Sequence, residues 1–320
     1  MLMIDISLML NIGFWYLGNY YYNIQNKNAS NASNGDQFAI TIATSQLGIG
    51  VLYSLFLWII PNTRNYPKIY IKDIFLFLPA GLSSSLAHVF SVLSLASGGL
   101  VFGQIVKASE PVFAGIIGTL FYKKKLSFYR WICLSVIIFG VCLASLKNSN
   151  GNYDLDFNLN SLIYAVMANI FASFKGAENK KIIENDDIKL RIGNISNQYA
   201  IMNIISFLFS IPIMIYIEGS KFYIFYNIFL YNNNFYNNVI LSGFTFYLYN
   251  ELAMITLKKI SAVNQSIANT VKRVIIIISS AIIFNESISQ LKIVGCVLCI
   301  SGVFLDSIID DVIYKHKKIN

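Results

Sequence analysis

The chain has 320 residues, 56% of them hydrophobic and only 12% charged, with a net charge of +8. Soluble domains carry about 25% charged residues, and apolar runs of about 20 residues recur here from end to end, so a water-soluble globular protein is excluded. The positive charge lies in the short segments between those runs, which removes nucleic acid as a partner and leaves the lipid bilayer as the surrounding medium.

Ten apolar spans are expected, at about 3–24, 38–60, 72–97, 100–122, 128–146, 158–179, 195–217, 237–257, 263–284 and 289–309. Nothing ahead of the first span reads as a basic leader with a small-residue cleavage site or as a transit region. The Asn- and Ser-rich stretch Gln25–Gln37 reads as a loop, and its two sequons, at Asn28 and Asn31, read as low complexity. Only Gly98 and Gly99 join the third and fourth spans, giving a helical hairpin. Pro111 and Pro212 are expected to bend or break their helices, and Pro111 to free backbone groups beside Glu110. The stretch Lys221–Asn238, mixing Tyr, Phe and Asn, reads as an amphipathic interfacial loop, and 310–320 as a cytosolic tail. Cys133, Cys142, Cys296 and Cys299 all stand in apolar runs; Cys296-x-x-Cys299 has the spacing of a redox or metal pair but no nearby His or second pair, and buried inert thiols are the expected reading.

Sixteen of the 24 Lys and Arg residues, Arg64 and Arg130 among them, fall on the face shared by both termini and four on the opposite face. Cytosolic loops carry the excess of Lys and Arg, so both termini are expected in the cytosol, as an even number of spans requires. The chain also repeats. An offset of 162 residues aligns Leu126 with Ile288, Ser127 with Ser289 and Gly140 with Gly302. Five spans per half invert one half relative to the other. The fold class expected is therefore an all-α membrane protein of ten transmembrane helices in two inverted five-helix repeats. These form one domain over 1–320, with repeat one at about 3–146 and repeat two at about 158–309. Inverted repeats are a mark of secondary transporters.

Three cations interrupt the apolar runs: Lys107 in the fourth span, and Lys272 and Arg273 side by side in the ninth. A charge at bilayer depth costs about 2.5–3.5 kcal/mol even on the lenient insertion scales, so something must offset it. Lys272 and Arg273 leave their helix about 100° apart and would flank an anion, with Lys107 closing the pocket from the other half. Arg offers a planar fork for two phosphate oxygens and Lys a compact charge; three cations suit a phosphate ester. The competing reading is that these cations simply pair with Glu110, Glu178 and Glu251. His88 and Ser91 share a helix face, and at the repeat offset Lys107 matches Asn269 and His88 matches Asn250, beside Tyr249. One central cavity lined by both halves is expected.

The runs Ile105-Val106-Lys107-Ala108-Ser109-Glu110-Pro111-Val112-Phe113, Tyr249-Asn250-Glu251-Leu252-Ala253 and Asn269-Thr270-Val271-Lys272-Arg273-Val274 resemble the plastid triose-phosphate/phosphate translocators of the drug/metabolite transporter superfamily. Asn169-Ile170, Lys180-Lys181 and Ile217-Glu218-Gly219 add to the likeness, which spans about residues 10–305. The resemblance implies exchange of inorganic phosphate for dihydroxyacetone phosphate, 3-phosphoglycerate or phosphoenolpyruvate across a plastid membrane by alternating access. It implies that Lys107, Lys272 and Arg273 hold the phosphate and that His88, Ser91 and Tyr249 meet the carbon part, with Lys175 and Glu110 secondary. Ser91 falls where relatives carry Thr, and Lys175 where plant members tend to have Arg. The absent presequence and the Asn- and Ile-heavy composition point to an apicoplast-type plastid and its outermost membrane. No cofactor and no metal are expected. Two alternatives stand beside this reading: a nucleotide-sugar or drug carrier of the same superfamily, and an intramembrane enzyme using His88 as base. The second lacks a nucleophile or metal ligand at a workable spacing from His88.

Overall fold

The computed structural model describes residues 6–123, 125–149, 152–155, 158–259, 262–285 and 289–319. Residues 1–5 of the first expected span, and Glu286, Ser287 and Ile288 of the repeat motif, lie outside the described residues. The helices are α1 (Ile6–Ala32), α2 (Ala39–Ile59), α3 (Ile71–Ser97), α4 (Leu100–Ala108), α5 (Glu110–Leu120), α6 (Phe128–Ala144), α7 (Leu159–Glu184), α8 (Asp186–Ile192), α9 (Ile195–Glu218), α10 (Phe222–Tyr231), α11 (Asn233–Lys259), α12 (Ala262–Ile283) and α13 (Gln290–Ile319). A small antiparallel hairpin, β1 (Leu146–Ser149) with β2 (Asn152–Leu155), joins α6 to α7.

The expected spans are largely helical over their described residues. Six segments among the described residues are long and apolar enough to cross a bilayer: Ala39–Ile59, Ile71–Ser97, Leu100–Leu120, Ile195–Tyr231, Asn233–Thr256 and Gln290–Ile309. Three expectations need correction. Gln25–Gln37 is not a loop throughout, because α1 runs on to Ala32. Lys221–Asn238 is helical over α10 and the start of α11. The stretch assigned to a tail continues α13 as far as Ile319.

The burial pattern is that of a chain solvated by lipid. Large apolar side chains face outward: Leu10, Phe14, Leu17 and Tyr21 on α1, Leu52 and Phe56 on α2. Polar ones turn inward: Asn19, Asn23, Asn26, Gln46, Ser85, His88 and Gln198. Several of them bond to one another or to neighbouring side chains. Gln46 Nε2 donates to Asn26 Oδ1 at 3.0 Å and to Ser242 Oγ at 2.8 Å, and Asn26 Nδ2 donates to Tyr22 Oη at 3.2 Å. Helix starts are capped by side-chain oxygens: Ser127 for α6, Asn185 for α8 and Asn194 for α9. The α2 start has no such residue of its own. Glu218, at the end of α9, serves instead, accepting from Ile40 N at 3.0 Å and Thr41 N at 2.7 Å.

The chain divides into two compact units, each drawing on both halves of the sequence. The first is Met1–Ser97 with Phe174–Lys259; the second is Gly98–Ser173 with Ile260–Asn320. In the first, Phe77, Tyr199, Met202 and Tyr247 anchor one apolar cluster and Phe38, Val92, Phe225 and Phe235 another. In the second, Leu134, Ile137, Cys299 and Val303 pack together.

Within each unit, contacts recur at the repeat offset. In the first unit a Cβ on Gly81 would stand 2.9 Å from Ile205 Cβ, and one on Gly243 would stand 2.9 Å from Ile49 Cβ. Gly81 and Gly243 are 162 residues apart. Ile49 and Ile205 are 156 apart; the six-residue difference falls in the second half's longer link, which holds α10. In the second unit a Cβ on Gly140 would meet Cys299 N at 2.5 Å and one on Gly302 would meet Ile137 N at 3.1 Å. At the 162 offset these two contacts are one contact with its partners exchanged.

Among the described residues, two ion pairs of the first unit join residues distant in sequence. Asp73 receives both terminal nitrogens of Arg191, at 2.5 and 2.8 Å. Arg64, counted from the sequence as a topology charge, instead places Nη2 2.5 Å from Glu251 Oε1, with side chains only 10% and 8% exposed. Removing one member of a buried pair strands the other charge. Glu251→Ala is expected to destabilise the protein by about 3–5 kcal/mol, read as a lowered thermal unfolding midpoint in detergent.

Candidate functional site

The second unit holds the three cations singled out in the sequence. Lys107 lies in the last turn of α4 and Glu110 opens α5. Between them Ser109 sits at φ −78°, ψ 4°, outside the helical well. The break has a local cause. Pro111 has no N–H to give to the carbonyl four residues back, and its ring crowds that carbonyl. The chain turns instead through bonds from Ser109 N to Val106 O at 3.0 Å and Val112 N to Ser109 O at 2.9 Å. The matching segment of the other half, in α12, is continuous through Lys272 and Arg273.

Arg273 is 15% exposed and its Nη2 donates to Glu110 Oε2 at 2.6 Å. The Lys107 ammonium feels the charges of both Arg273 and Glu110. The structure thus brings Lys107, Arg273 and Glu110 together. Lys272 is half-buried on α12. Of the carboxylates that could have absorbed the cations, Glu110 takes Arg273, while Glu178 bonds Lys181 at 2.8 Å and Glu251 bonds Arg64. A cavity of about 320 Å³ opens beside the Arg273–Glu110 pair. Its walls include Pro111, Ala114, Asn269, Thr270 and Val303, and neither Lys107 nor Lys272 lines it. A second pair borders the same cavity, with Arg130 Nε and Nη2 on the two oxygens of Asp306 at 2.9 and 3.1 Å. The sequence had offered Arg130 only as a topology charge.

The first unit holds the other candidates. His88, 5% exposed on α3, stacks on Phe246 of α11 with ring centroids 3.9 Å apart. Tyr22 of α1 lies 5.4 Å from Tyr249 and 6.3 Å from His88, and Phe246 lies edge-on to Tyr249 at 5.7 Å. His88 and Tyr249 therefore share one aromatic cluster. Tyr22 and Phe246, which sequence reasoning passed over, complete it; the only signal for Phe246 was its three-residue spacing from Tyr249. Ser91 is partly buried one turn along α3 from His88, and Lys175 lies on the part of α7 that belongs to this unit. Among the described residues no three His, Cys, Asp or Glu side chains converge as a metal would need.

Apolar helices long enough to cross a bilayer, with polar side chains turned inward, define a multi-pass membrane protein. Residues 6–307 match the Triose-phosphate Transporter family, and the chain belongs to it. Its relatives include a chloroplastic phosphoenolpyruvate/phosphate translocator 3 of Oryza sativa subsp. japonica, 31% identical over 92% of this chain and 72% of the relative. The chloroplastic xylulose 5-phosphate/phosphate translocator of Arabidopsis thaliana is 29% identical over 94% and 70%. The chloroplastic triose phosphate/phosphate translocator of Flaveria trinervia is 28% identical over 95% and 72%. One crystal structure shares the fold at a TM-score of 0.54 and 13% identity, over 93% of this chain and 95% of that one.

Proposed function

We propose that the chain is an antiporter that exchanges inorganic phosphate for phosphorylated three-carbon compounds across a plastid membrane by alternating access. In this reading ten helices span the membrane as two inverted repeats with both termini cytosolic. The exchanged glyceryl-size partners are dihydroxyacetone phosphate, 3-phosphoglycerate and phosphoenolpyruvate. The observation that carries the reading is the charge cluster of the second unit: Lys107 and Glu110 within an apolar segment long enough to cross a bilayer, with Arg273 of α12 on Glu110. Lys107 and Arg273 against the Glu110 carboxylate leave the cluster positive, the sign that a phosphate ester at neutral pH requires. Lys107, Lys272 and Arg273 take the phosphate; His88, Ser91 and Tyr249 take the carbon part. The relatives' phosphate partners, which include phosphoenolpyruvate, triose phosphate and xylulose 5-phosphate, support the substrate class.

Obligate exchange follows from the same charges. Once water is excluded, the empty site holds an excess of positive charge, and a bound dianion removes it. A ligand shifts a two-state equilibrium only by its differential affinity for the two states, so closure occurs with the site filled. The test is labelled phosphate uptake by purified protein in liposomes. Uptake is expected into phosphate-loaded liposomes, to be inhibited by three-carbon phosphates, and to be close to background in empty ones. Equal uptake into empty liposomes overturns the coupling. Inhibition by nucleotide sugars but not by three-carbon phosphates, or by xylulose 5-phosphate alone, overturns the substrate assignment.

A further inference from the structure

The break between α4 and α5 leaves a carbonyl that the helix no longer serves. In a continuous helix Val106 O would accept from Glu110 N, four residues on. Here it accepts instead from Ser109 N at 3.0 Å, from Ser109 Oγ at 2.7 Å and from Asn169 Nδ2 at 2.9 Å. Asn169 comes from α7, is 2% exposed and also reaches Ser109 Oγ at 3.3 Å. Its own carbonyl accepts from Ser173 Oγ at 2.8 Å. The α7 face that presents it is packed, with Ala165 against Phe102 and Val106 of α4. An amide sunk in an apolar contact, with its donor on the first carbonyl before a cation and on the hydroxyl at the break, fixes the direction in which α4 ends. That direction sets where Lys107 stands relative to Glu110, and so relative to Arg273.

We propose that Asn169 is a positioning residue for the phosphate site, holding the α4–α5 break so that Lys107 and Arg273 can share one anion. This rests on the reading of the cluster as a phosphate site. Asn169 does not touch the anion; it acts through the backbone of Val106 and Ser109.

The experiment is phosphate exchange in liposomes by wild type, Asn169→Leu, Asn169→Gln and Ser109→Ala. Asn169→Leu keeps the branching and the number of side-chain heavy atoms and removes the donor. It is expected to raise the KM for phosphate about tenfold, the weight of one buried hydrogen bond, with maximal rate per folded molecule within about twofold of wild type. Asn169→Gln, which keeps the amide, is expected to retain more affinity than Asn169→Leu. Ser109→Ala, which loses the hydroxyl shared by the same ring of bonds, is expected to raise KM also, and its effect is not additive with that of Asn169→Leu. Should Asn169→Leu not fold, Ser109→Ala and Asn169→Gln carry the test alone: an unchanged KM in Ser109→Ala overturns the proposal. So does an unchanged KM in Asn169→Leu, or a lowered rate that merely follows the folded fraction. A wild type that does not exchange phosphate removes the reading of the site and this proposal together. A wild type that exchanges, with Asn169→Leu at wild-type KM, removes this proposal and leaves the reading intact.

Discussion

Arg273→Gln and Lys272→Gln are each expected to reduce phosphate exchange by about a hundredfold or more, while the protein still inserts in the membrane. Gln keeps most of the length and polarity of either side chain and removes the charge. Hydrogen bonds to charged groups contribute about 1.5–3 kcal/mol each, and Arg presents two donors in one plane to an anion. At Arg273 the loss has a second part. Glu110, now held 2.6 Å from the guanidinium, would be left beside Lys107 and would neutralise it. Arg273→Lys separates charge from shape: it keeps the positive charge, loses the fork and is expected to retain more exchange than Arg273→Gln. The assay is labelled phosphate exchange in liposomes, with insertion checked by solubilisation and gel filtration. Exchange at the wild-type level in both Gln variants would take Lys272 and Arg273 out of the site.

Gly140→Val and Gly302→Val are each expected to lower stability by about 3 kcal/mol, the upper part of the range for overpacked cores. The reason is that α6 and α13 approach through these two residues. A Cβ on Gly140 meets Cys299 N, and one on Gly302 meets Ile137 N. Backbone atoms cannot rotate aside as a side chain can, so the helices themselves must part. Gly176 provides the control: a Cβ there meets nothing within 4 Å, and Gly176→Ala should be neutral or raise stability by up to about 1 kcal/mol through helix propensity. Thermal unfolding midpoints in detergent decide the comparison. Gly140→Val with a wild-type midpoint would mean that the close approach does not hold α6 and α13 together.

Much of this was legible in the residues, for identifiable reasons. Charges inside apolar runs are rare enough to point to Lys107, Lys272 and Arg273, and the 162-residue offset reappears in the packing of Gly140 with Cys299 and Gly302 with Ile137. Composition misled where polar residues were structural. The stretch after Gln25 looked like a loop because it is rich in Asn and Ser, yet Ala29, Ser30 and Ser33 are fully enclosed. Neighbouring Asn26 bonds Tyr22 and Gln46, so burial overrides weak helix propensity. Counting Arg64 as a surface charge missed that the link between α2 and α3 returns it to Glu251. The role of Asn169 had no sequence signature, because an amide bonding a carbonyl on another helix leaves no spacing to read.

The Arg273–Glu110 pair has a consequence for how tightly any anion can be held. Glu110 is a competitor that the chain keeps tethered beside the guanidinium, at an effective concentration of about millimolar or above. In the proposed site, phosphate would have to displace it to reach Arg273, and on departure the carboxylate would return to cover the charge. Affinity would thereby be held down to a range where the cargo leaves as readily as it arrives, which repeated turnover across a membrane requires.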